Sequence, residues 1–247
     1  MGSNHSIIGA SGYYRWSECP GSVALTKNLP AKTNEYAEAG TVAHDFSEKI
    51  LKGELTWEEA SLIYDDEMIQ AVRVYVDFVE AHKKSSTWWK VEHGFDMSHL
   101  HPGLFGTCDF VAYDEANKIL IVADFKYGKG HFVEVENNPQ LLYYALGALL
   151  TIPMIVDKVF LYVVQPRCPR RGLQIHGWST PLIPNVIEYM IELVHNAKRT
   201  EEPNAELKEG AWCFFCPAVG FCPAQHEKRM DRAIEQFKEF PLIESGE

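Results

Sequence analysis

The stretch GTCDFVAYDEANKILIVADFKYGKG, from Gly106 to Gly130, decides both the fold and the candidate site. Two runs rich in β-branched and aromatic residues flank the short polar segment DEAN, and this pattern predicts a β-hairpin. Side chains of a strand alternate between the two faces of a sheet, so we expect Asp124 and Lys126 on one face and Phe125 on the other. The second strand would then present a carboxylate and an ammonium group side by side.

The register of this hairpin determines where a second carboxylate lies. If the connection is even in length and Tyr113 pairs with Lys118, Asp109 lies opposite Val122 and diagonal to Asp124. Diagonal Cβ atoms are about 7–8 Å apart or somewhat less. That spacing suits two carboxylates that converge on one divalent cation. An odd-length connection would place the two aspartates on opposite faces.

The residue types indicate which chemistry such a site would perform. Hard oxygen ligands favour Mg²⁺ or Mn²⁺, which polarise a phosphoryl oxygen. Lys126 could orient or deprotonate an attacking water and stabilise charge that develops on phosphorus. The alternative is that Asp109 and Asp124 are strand-end or surface acids that pair with Lys126.

Further polar residues occur at helical spacing. Gln140 and Tyr144 are four residues apart on a predicted helix, where an amide and a phenol could bind a phosphate or a base edge. His44 lies on an earlier predicted helix. Glu92, on the first predicted strand, could be a further metal ligand, although a surface glutamate is the simpler interpretation.

Composition limits the class of protein. The 247 residues are 46% hydrophobic and 23% charged, which is an ordinary globular composition. No long apolar run and no signal-peptide pattern occurs, so we expect a soluble cytoplasmic protein without a membrane partner. A net charge of −11 argues against a protein that coats nucleic acid nonspecifically. It does not exclude a local basic groove, for which Arg167, Arg170 and Arg171 are the candidates. The alternative is that these three arginines lie in a solvated loop.

The cysteines predict a metal centre. Cys213, Cys216 and Cys222 form a C-x2-C-x5-C array, and Cys19 stands far upstream. Four thiolates satisfy either a tetrahedral zinc ion or an iron–sulfur cluster. A single upstream cysteine that adds a fourth ligand to a group of three is less typical of zinc sites. A structural [4Fe-4S] cluster is therefore favoured.

The order of predicted elements is helices, three strands, a helix, strands and helices. This order predicts an α/β fold with a mixed central sheet flanked by helices. We expect a single domain over residues 1–247, whose N- and C-terminal segments are joined by the four-cysteine cluster. The cluster-binding segments would cover about residues 11–24 and 210–226.

The residues taken together resemble a known family. His44, the G-x-x-D of Gly106 to Asp109, the D-x-K of Asp124 to Lys126 and the Q-x-x-x-Y of Gln140 to Tyr144 resemble the RecB-type branch of the PD-(D/E)XK nucleases. The four cysteines are similar to the iron–sulfur staple of its AddB-like and CRISPR-associated exonuclease-like members. The resemblance covers about Ser11 to Gln225, and the wording of DFKYGKG and NNPQLLYYALG looks most like phage and prophage members.

The resemblance implies a restriction-endonuclease-like core that cuts DNA with Mg²⁺ or Mn²⁺. His44, Asp109 and Asp124 would ligate the metal together with the backbone carbonyl of Phe125, and Lys126 would assist the attacking water. The DNA-binding residues would be Gln140 and Tyr144, together with Arg167, Arg170 and Arg171. One departure is that aspartate stands where glutamate is frequent in the D-x-K motif.

Two functions are therefore expected from the sequence. The first is a metal-dependent DNA exonuclease that acts on single-stranded or free ends in phage recombination, repair or DNA processing. Any unwinding would come from a helicase or recombination partner, because the chain lacks the phosphate-binding motif G-x-x-x-x-G-K-[ST]. The second is a catalytically silent phage adaptor that uses the same fold to engage a host or recombination protein.

Overall fold

The computed structural model describes residues 7–29 and 35–239. The chain divides into two compact units. The first unit contains Met1–Tyr13 and Thr33–His195, and the second contains Tyr14–Lys32 and Asn196–Glu247. The second unit therefore brings together sequence segments from near the two ends of the chain.

The first unit is built on a five-stranded mixed sheet. The strands follow the sequence order from one edge to the other: β1 (Trp88–Asp96), β2 (Phe105–Asp114), β3 (Ile119–Phe125), β4 (Lys158–Val164) and β5 (Ile175–Thr180). Neighbours are antiparallel except β3 and β4, which are parallel. Helix α6 (Pro139–Thr151) forms the crossover that a parallel pair requires. The predicted α/β class with a mixed, helix-flanked sheet is confirmed.

The predicted register of the hairpin is wrong by two residues. Tyr113 pairs with Leu120 rather than with Lys118, and Asp114 pairs with Ile119. The even-length connection is confirmed, since a turn of residues 115–118 joins the strands. A shift by two residues leaves each side chain on its predicted face, so Asp109 and Asp124 still share a face. The difference is that this register, continued by one residue, places the two aspartates directly opposite each other.

Helices cover both faces of the sheet. Helices α3 (Glu35–Lys52), α4 (Trp57–Ala60) and α5 (Asp66–Ser85) pack with the face that carries Phe110, Ala123 and Phe125. Helix α6 packs against the opposite face, where the alternation of β3 places Asp124. Phe125 therefore fixes the strand in the core while its two neighbours face the other side, as the alternation predicts.

The helix boundaries follow from local capping. Asn138 caps α6, because its side chain accepts a hydrogen bond from the Leu141 N–H at 3.1 Å, and Pro139 occupies the first turn, where its missing N–H costs nothing. Helix α3 ends at Lys52, just before Gly53, whose φ of 72° suits a helix C-terminus. The polar side chain of Asp65 caps α5 by accepting from the Met68 N–H.

The second unit consists of helices and turns. It contains α2 (Gly21–Thr26) and α8 (Pro223–Glu239), most of α1 (Tyr13–Glu18), the end of α7 (Val186–Arg199), and a 3-10 turn at Ala211–Cys213. The helices predicted after the last strand are α7 and α8. Within the part of the chain that the structure describes, no helix is both long enough and apolar enough to cross a membrane.

Candidate functional site

Three side chains from three different elements form a cage beside the middle of β1 and β2. The cage consists of His44 from α3, Glu92 from β1 and Asp109 from β2, whose ligand atoms all lie within 4.8 Å of one another. His44 Nδ1 is 3.5 Å from Asp109 Oδ1 and 3.9 Å from Glu92 Oε1. One imidazole nitrogen and two carboxylates are a donor set that suits Mn²⁺ or Mg²⁺.

Glu92 reaches this cage because the backbone of β1 is distorted at this residue. Its φ of 49° lies in the left-handed region, which non-glycine residues rarely adopt. The β1–β2 pairing is regular on both sides, with Val91 opposite Phe110 and His93 opposite Cys108. The strain is therefore confined to the residue whose carboxylate joins the cage, which is typical of functional sites.

Asp109 is fixed by a hydrogen bond across the hairpin. Its Oδ2 accepts from the backbone N–H of Phe125 at 2.6 Å, while Oδ1 faces His44. The peptide of Phe125 therefore borders the cage, next to Asp124. That the Phe125 carbonyl ligates a metal stays a prediction.

Asp124 belongs to a second connected group, which we call the lysine relay: Asp124, Lys126, Gln140 and Tyr144. Lys126 Nζ is 2.7 Å from Asp124 Oδ2 and donates to Gln140 Oε1 at 3.2 Å. Gln140 Nε2 in turn donates to the Tyr144 hydroxyl at 3.0 Å. The predicted residues of β3 and α6 are thus brought into one hydrogen-bonded chain beside the cage.

The G-x-x-D motif also has a packing role. A Cβ atom placed on Gly106 would lie 3.3 Å from the Tyr144 ring and 3.2 Å from the Ala10 Cβ. Tyr144 is itself buried. Glycine at this position therefore lets α6 approach β2 closely enough for the lysine relay to form.

The electrostatics of the site favour charged His44 and Lys126. Burial opposes protonation of His44, but the carboxylates of Asp109, Glu92 and Asp124 outweigh it and raise its pKa to about 9. Burial likewise opposes the charge of Lys126, and the carboxylates of Asp124 and Asp109 again raise its pKa. Burial is the main cause that raises the pKa of Asp109, although His44 opposes it. The carboxylates thus stabilise the charge on His44 and Lys126, whereas burial favours the neutral form of Asp109.

Arg167, which was predicted to bind DNA, contacts other residues of the protein through its guanidinium group. Its guanidinium donates to both carboxylate oxygens of Glu67, at 3.1 and 3.0 Å, and to the Tyr127 backbone carbonyl at 3.3 Å. It also lies 4.0 Å from the centroid of the Tyr127 ring. Only 12% of its side chain is exposed. Arg167 therefore holds the chain that directly follows Lys126.

Arg170 and Arg171 are more accessible. Arg170 pairs with Glu134 at 2.7 Å and lies 4.8 Å from the Phe132 ring, but 55% of its side chain is exposed. Arg171 is exposed, with a φ of 54°. Exposed ion pairs contribute little free energy, so a phosphate can displace Glu134 from Arg170.

A buried glutamine fixes the loop between β3 and α6. Gln165, 1% exposed, accepts from the Val133 N–H at 3.0 Å and donates to the carbonyls of His131 and Gly128 at 2.8 and 3.3 Å. Its side chain therefore supplies three hydrogen bonds to a segment without regular secondary structure. The loop borders the lysine relay, because it begins directly after Lys126.

The four predicted cluster cysteines lie together in the second unit. Cys19, Cys213, Cys216 and Cys222 all line one small cavity. The backbone N–H of Lys208 donates to the Cys19 sulfur at 3.3 Å. Among the described residues, no three of these sulfur atoms lie within 4.8 Å of one another.

Sequence reasoning did not commit to Glu92 as a site residue. Its position is set by the left-handed backbone of β1, which a glutamate in a strand pattern does not indicate. Nor did the sequence single out Tyr75 of α5, which is buried and stacks on Phe125 with ring centroids 4.7 Å apart.

Comparison with known proteins gives two findings. The crystal structure of SSO0001 is similar over 91% of this chain and 89% of that chain, with 14% sequence identity and a TM-score of 0.41. Residues 5–247 match the family described as protein of unknown function (DUF2800). Since the match covers nearly all 247 residues, the chain belongs to this family.

Proposed function

We propose that the protein is a divalent-metal-dependent deoxyribonuclease of the PD-(D/E)XK type, and that it acts on single-stranded or free DNA ends. The observation that carries the proposal is the cage of His44, Glu92 and Asp109 beside an ion pair between buried Asp124 and half-buried Lys126. Carboxylates and an imidazole around one point, next to a charged lysine, are the groups that phosphodiester hydrolysis requires. The proposed activity would be cytoplasmic, where DNA is available.

The donor set fits Mg²⁺ or Mn²⁺. His44, Glu92 and Asp109 would hold the ion, and Asp124 would join them once its carboxylate turns from Lys126. When bound, the ion would polarise a phosphoryl oxygen and lower the pKa of water. The hydrogen bond from Phe125 N–H keeps one oxygen of Asp109 aligned, which leaves the other free for a ligand role.

Lys126 supports this chemistry as a cation. Because neighbouring carboxylates raise its pKa, the ammonium stays protonated at neutral pH. It therefore orients the water by donating hydrogen bonds and stabilises charge on the phosphoryl oxygens, and it is a poor general base. Gln140 holds the ammonium at 3.2 Å, and Tyr144 holds Gln140.

The DNA strand would lie along the loop that follows Lys126. Arg170 is an accessible cation that contacts this loop through Glu134 and Phe132, and Arg171 is the exposed residue that follows it. We propose that both contact phosphates. Gln140 would contact the strand from α6. Such contacts are sensitive to salt, because each neutralised phosphate releases a counterion.

We propose that the cysteine cavity holds a [4Fe-4S] cluster that stabilises the second unit. The four thiols line one cavity, and four thiolates are a ligand set that such a cluster uses. The preference for a cluster over zinc rests on the spacing of the cysteines in the sequence, where one upstream cysteine joins a group of three. The cluster would cross-link Cys19 to the segment from Cys213 to Cys222.

The test is a nuclease assay on end-labelled single- and double-stranded DNA with Mg²⁺ or Mn²⁺. We expect degradation by the parent protein, loss of activity on chelation, and no degradation by Asp124→Ala. Cys168→Ser is a matched control, because Cys168 lies outside both metal sites.

The adaptor hypothesis stays the alternative, and the net charge of −11 favours it. An adaptor would leave DNA intact under every condition and would keep its protein partner after Asp124→Ala. Folded protein that contains its cluster and shows no metal-dependent cleavage would therefore support the adaptor.

A further inference from the structure

The hydroxyl of Tyr75 is a buried polar group without a partner in the described part of the chain. The side chain lies on α5 and is 1% exposed. Its hydroxyl makes no hydrogen bond to any described residue. Buried hydroxyl groups almost always have a partner, because leaving one unpaired is destabilising. A phenylalanine would fill the same space without this loss, so the hydroxyl calls for a functional explanation.

The surroundings of this hydroxyl point to the cage. The Tyr75 ring stacks on Phe125 at 4.7 Å with the planes 9° apart, and Phe125 also contacts the His44 ring at 5.2 Å. After burial, the groups that most raise the pKa of Tyr75 are the carboxylates of Asp109 and Glu92. These are the two carboxylates of the cage.

We propose that Tyr75 is a positioning residue of the metal site, whose hydroxyl donates a hydrogen bond to a cage carboxylate when Mg²⁺ or Mn²⁺ is bound. Metal-ligating carboxylates are themselves hydrogen-bonded, and their partners fix ligand orientation. In the metal-free cage, the carboxylates of Asp109 and Glu92 face His44. Asp109 Oδ2 already accepts from the Phe125 N–H, so Glu92 is the carboxylate with an oxygen to spare: if one of its oxygens turned to the ion, the other could accept from Tyr75. This inference rests on the proposed metal site.

Tyr143 offers a matched control in the same unit. It is also 1% exposed, and its hydroxyl also lacks a partner among the described residues. Its pKa is raised by burial and by Tyr13, so its neighbours are not the cage carboxylates. Tyr143→Phe therefore removes an unpaired buried hydroxyl without touching the proposed site.

The experiment titrates Mn²⁺ alone into the full-length protein, with free ion followed by electron paramagnetic resonance. For Tyr75→Phe we expect about ten- to hundredfold weaker binding, the usual effect of losing a partner of a metal ligand. The rise in melting temperature on adding Mn²⁺ should shrink in parallel. Without metal, Tyr75→Phe should melt at or above the parent temperature. Tyr143→Phe should bind Mn²⁺ as the parent does.

The outcomes separate this inference from the proposed function. If the parent binds no Mn²⁺, the metal site itself is wrong. If the parent binds Mn²⁺ and Tyr75→Phe binds within twofold of it, only the role of Tyr75 is overturned. A metal-free Tyr75→Phe that melts well below the parent, or fails to fold, would also overturn it, because the hydroxyl would then have a structural partner.

Discussion

The strained backbone of Glu92 predicts that Glu92→Gly weakens metal binding but folds more stably than Glu92→Ala. Glu92→Gly removes the carboxylate from the cage and also relieves a φ of 49°. Glu92→Ala removes the same carboxylate and keeps the strain. Comparing the two variants therefore isolates the backbone contribution.

The difference in stability between the two variants follows from two opposing contributions to the free energy of unfolding. A left-handed conformation costs a non-glycine residue about 1–2 kcal/mol. Glycine loses more conformational entropy on folding than alanine does, and this cost offsets about 0.5–1 kcal/mol of the free energy gained by relieving the strain. We therefore expect Glu92→Gly to be about 1 kcal/mol more stable than Glu92→Ala, or about 2–4 °C in melting temperature for a protein of this size.

The assays are thermal unfolding without metal and Mn²⁺ titration of the same preparations. Both variants should bind Mn²⁺ at least about tenfold more weakly than the parent, because each lacks one cage ligand. Lys118→Gly is a control, since Lys118 has a φ of 53° in the β2–β3 turn, away from the cage. It should gain stability and leave Mn²⁺ affinity unchanged. Equal melting temperatures for Glu92→Gly and Glu92→Ala would refute the strain argument, and parent-like affinity would refute the ligand role.

Three further results are expected. Mn²⁺ affinity should rise by up to about tenfold per pH unit from pH 7 towards pH 9, because the carboxylates around His44 raise its pKa to about 9 and the ion must displace that proton; a titration that is flat in pH would contradict this. Gln165→Leu should remove the hydrogen bonds that hold the loop of residues 128–133. The backbone N–H groups of this loop should then exchange hydrogen faster and activity should fall, with little effect on Mn²⁺ affinity. Unchanged hydrogen exchange would show that other contacts hold the loop. Cys213→Ser should lower the melting temperature more than it lowers activity per folded molecule, and a variant that melts like the parent while losing turnover would exclude a structural cluster.

Local patterns were sufficient to predict the sheet and its larger helices. Alternation in β2 and β3 placed Asp109 and Asp124 on one face, and helical spacing placed Gln140 and Tyr144 on the helix that became α6. The register was wrong because the turn closes with Lys118 in a left-handed conformation rather than as a strand residue. Turn conformation depends on backbone angles that the polar segment does not specify.

The site was predicted only in part for a similar reason. Residues at helical spacing, such as Gln140 and Tyr144, could be placed on one face from the sequence. The sequence could not predict that the site separates into a cage and a lysine relay. This separation depends on the tertiary packing of α3 and α6 against opposite faces of the sheet. Glu92 joined the cage through a distorted backbone, and Arg167 turned inward to Glu67 and Tyr127.

The most direct test of the central claim is cleavage of end-labelled single-stranded DNA by protein purified without oxygen, with Mn²⁺ or Mg²⁺ and with Asp124→Ala measured in parallel. We predict metal-dependent degradation by the parent protein and none by the variant, although both are folded and contain the cluster. Intact DNA with the folded parent protein, or equal degradation by Asp124→Ala, would contradict the assignment of a nuclease site to this hairpin.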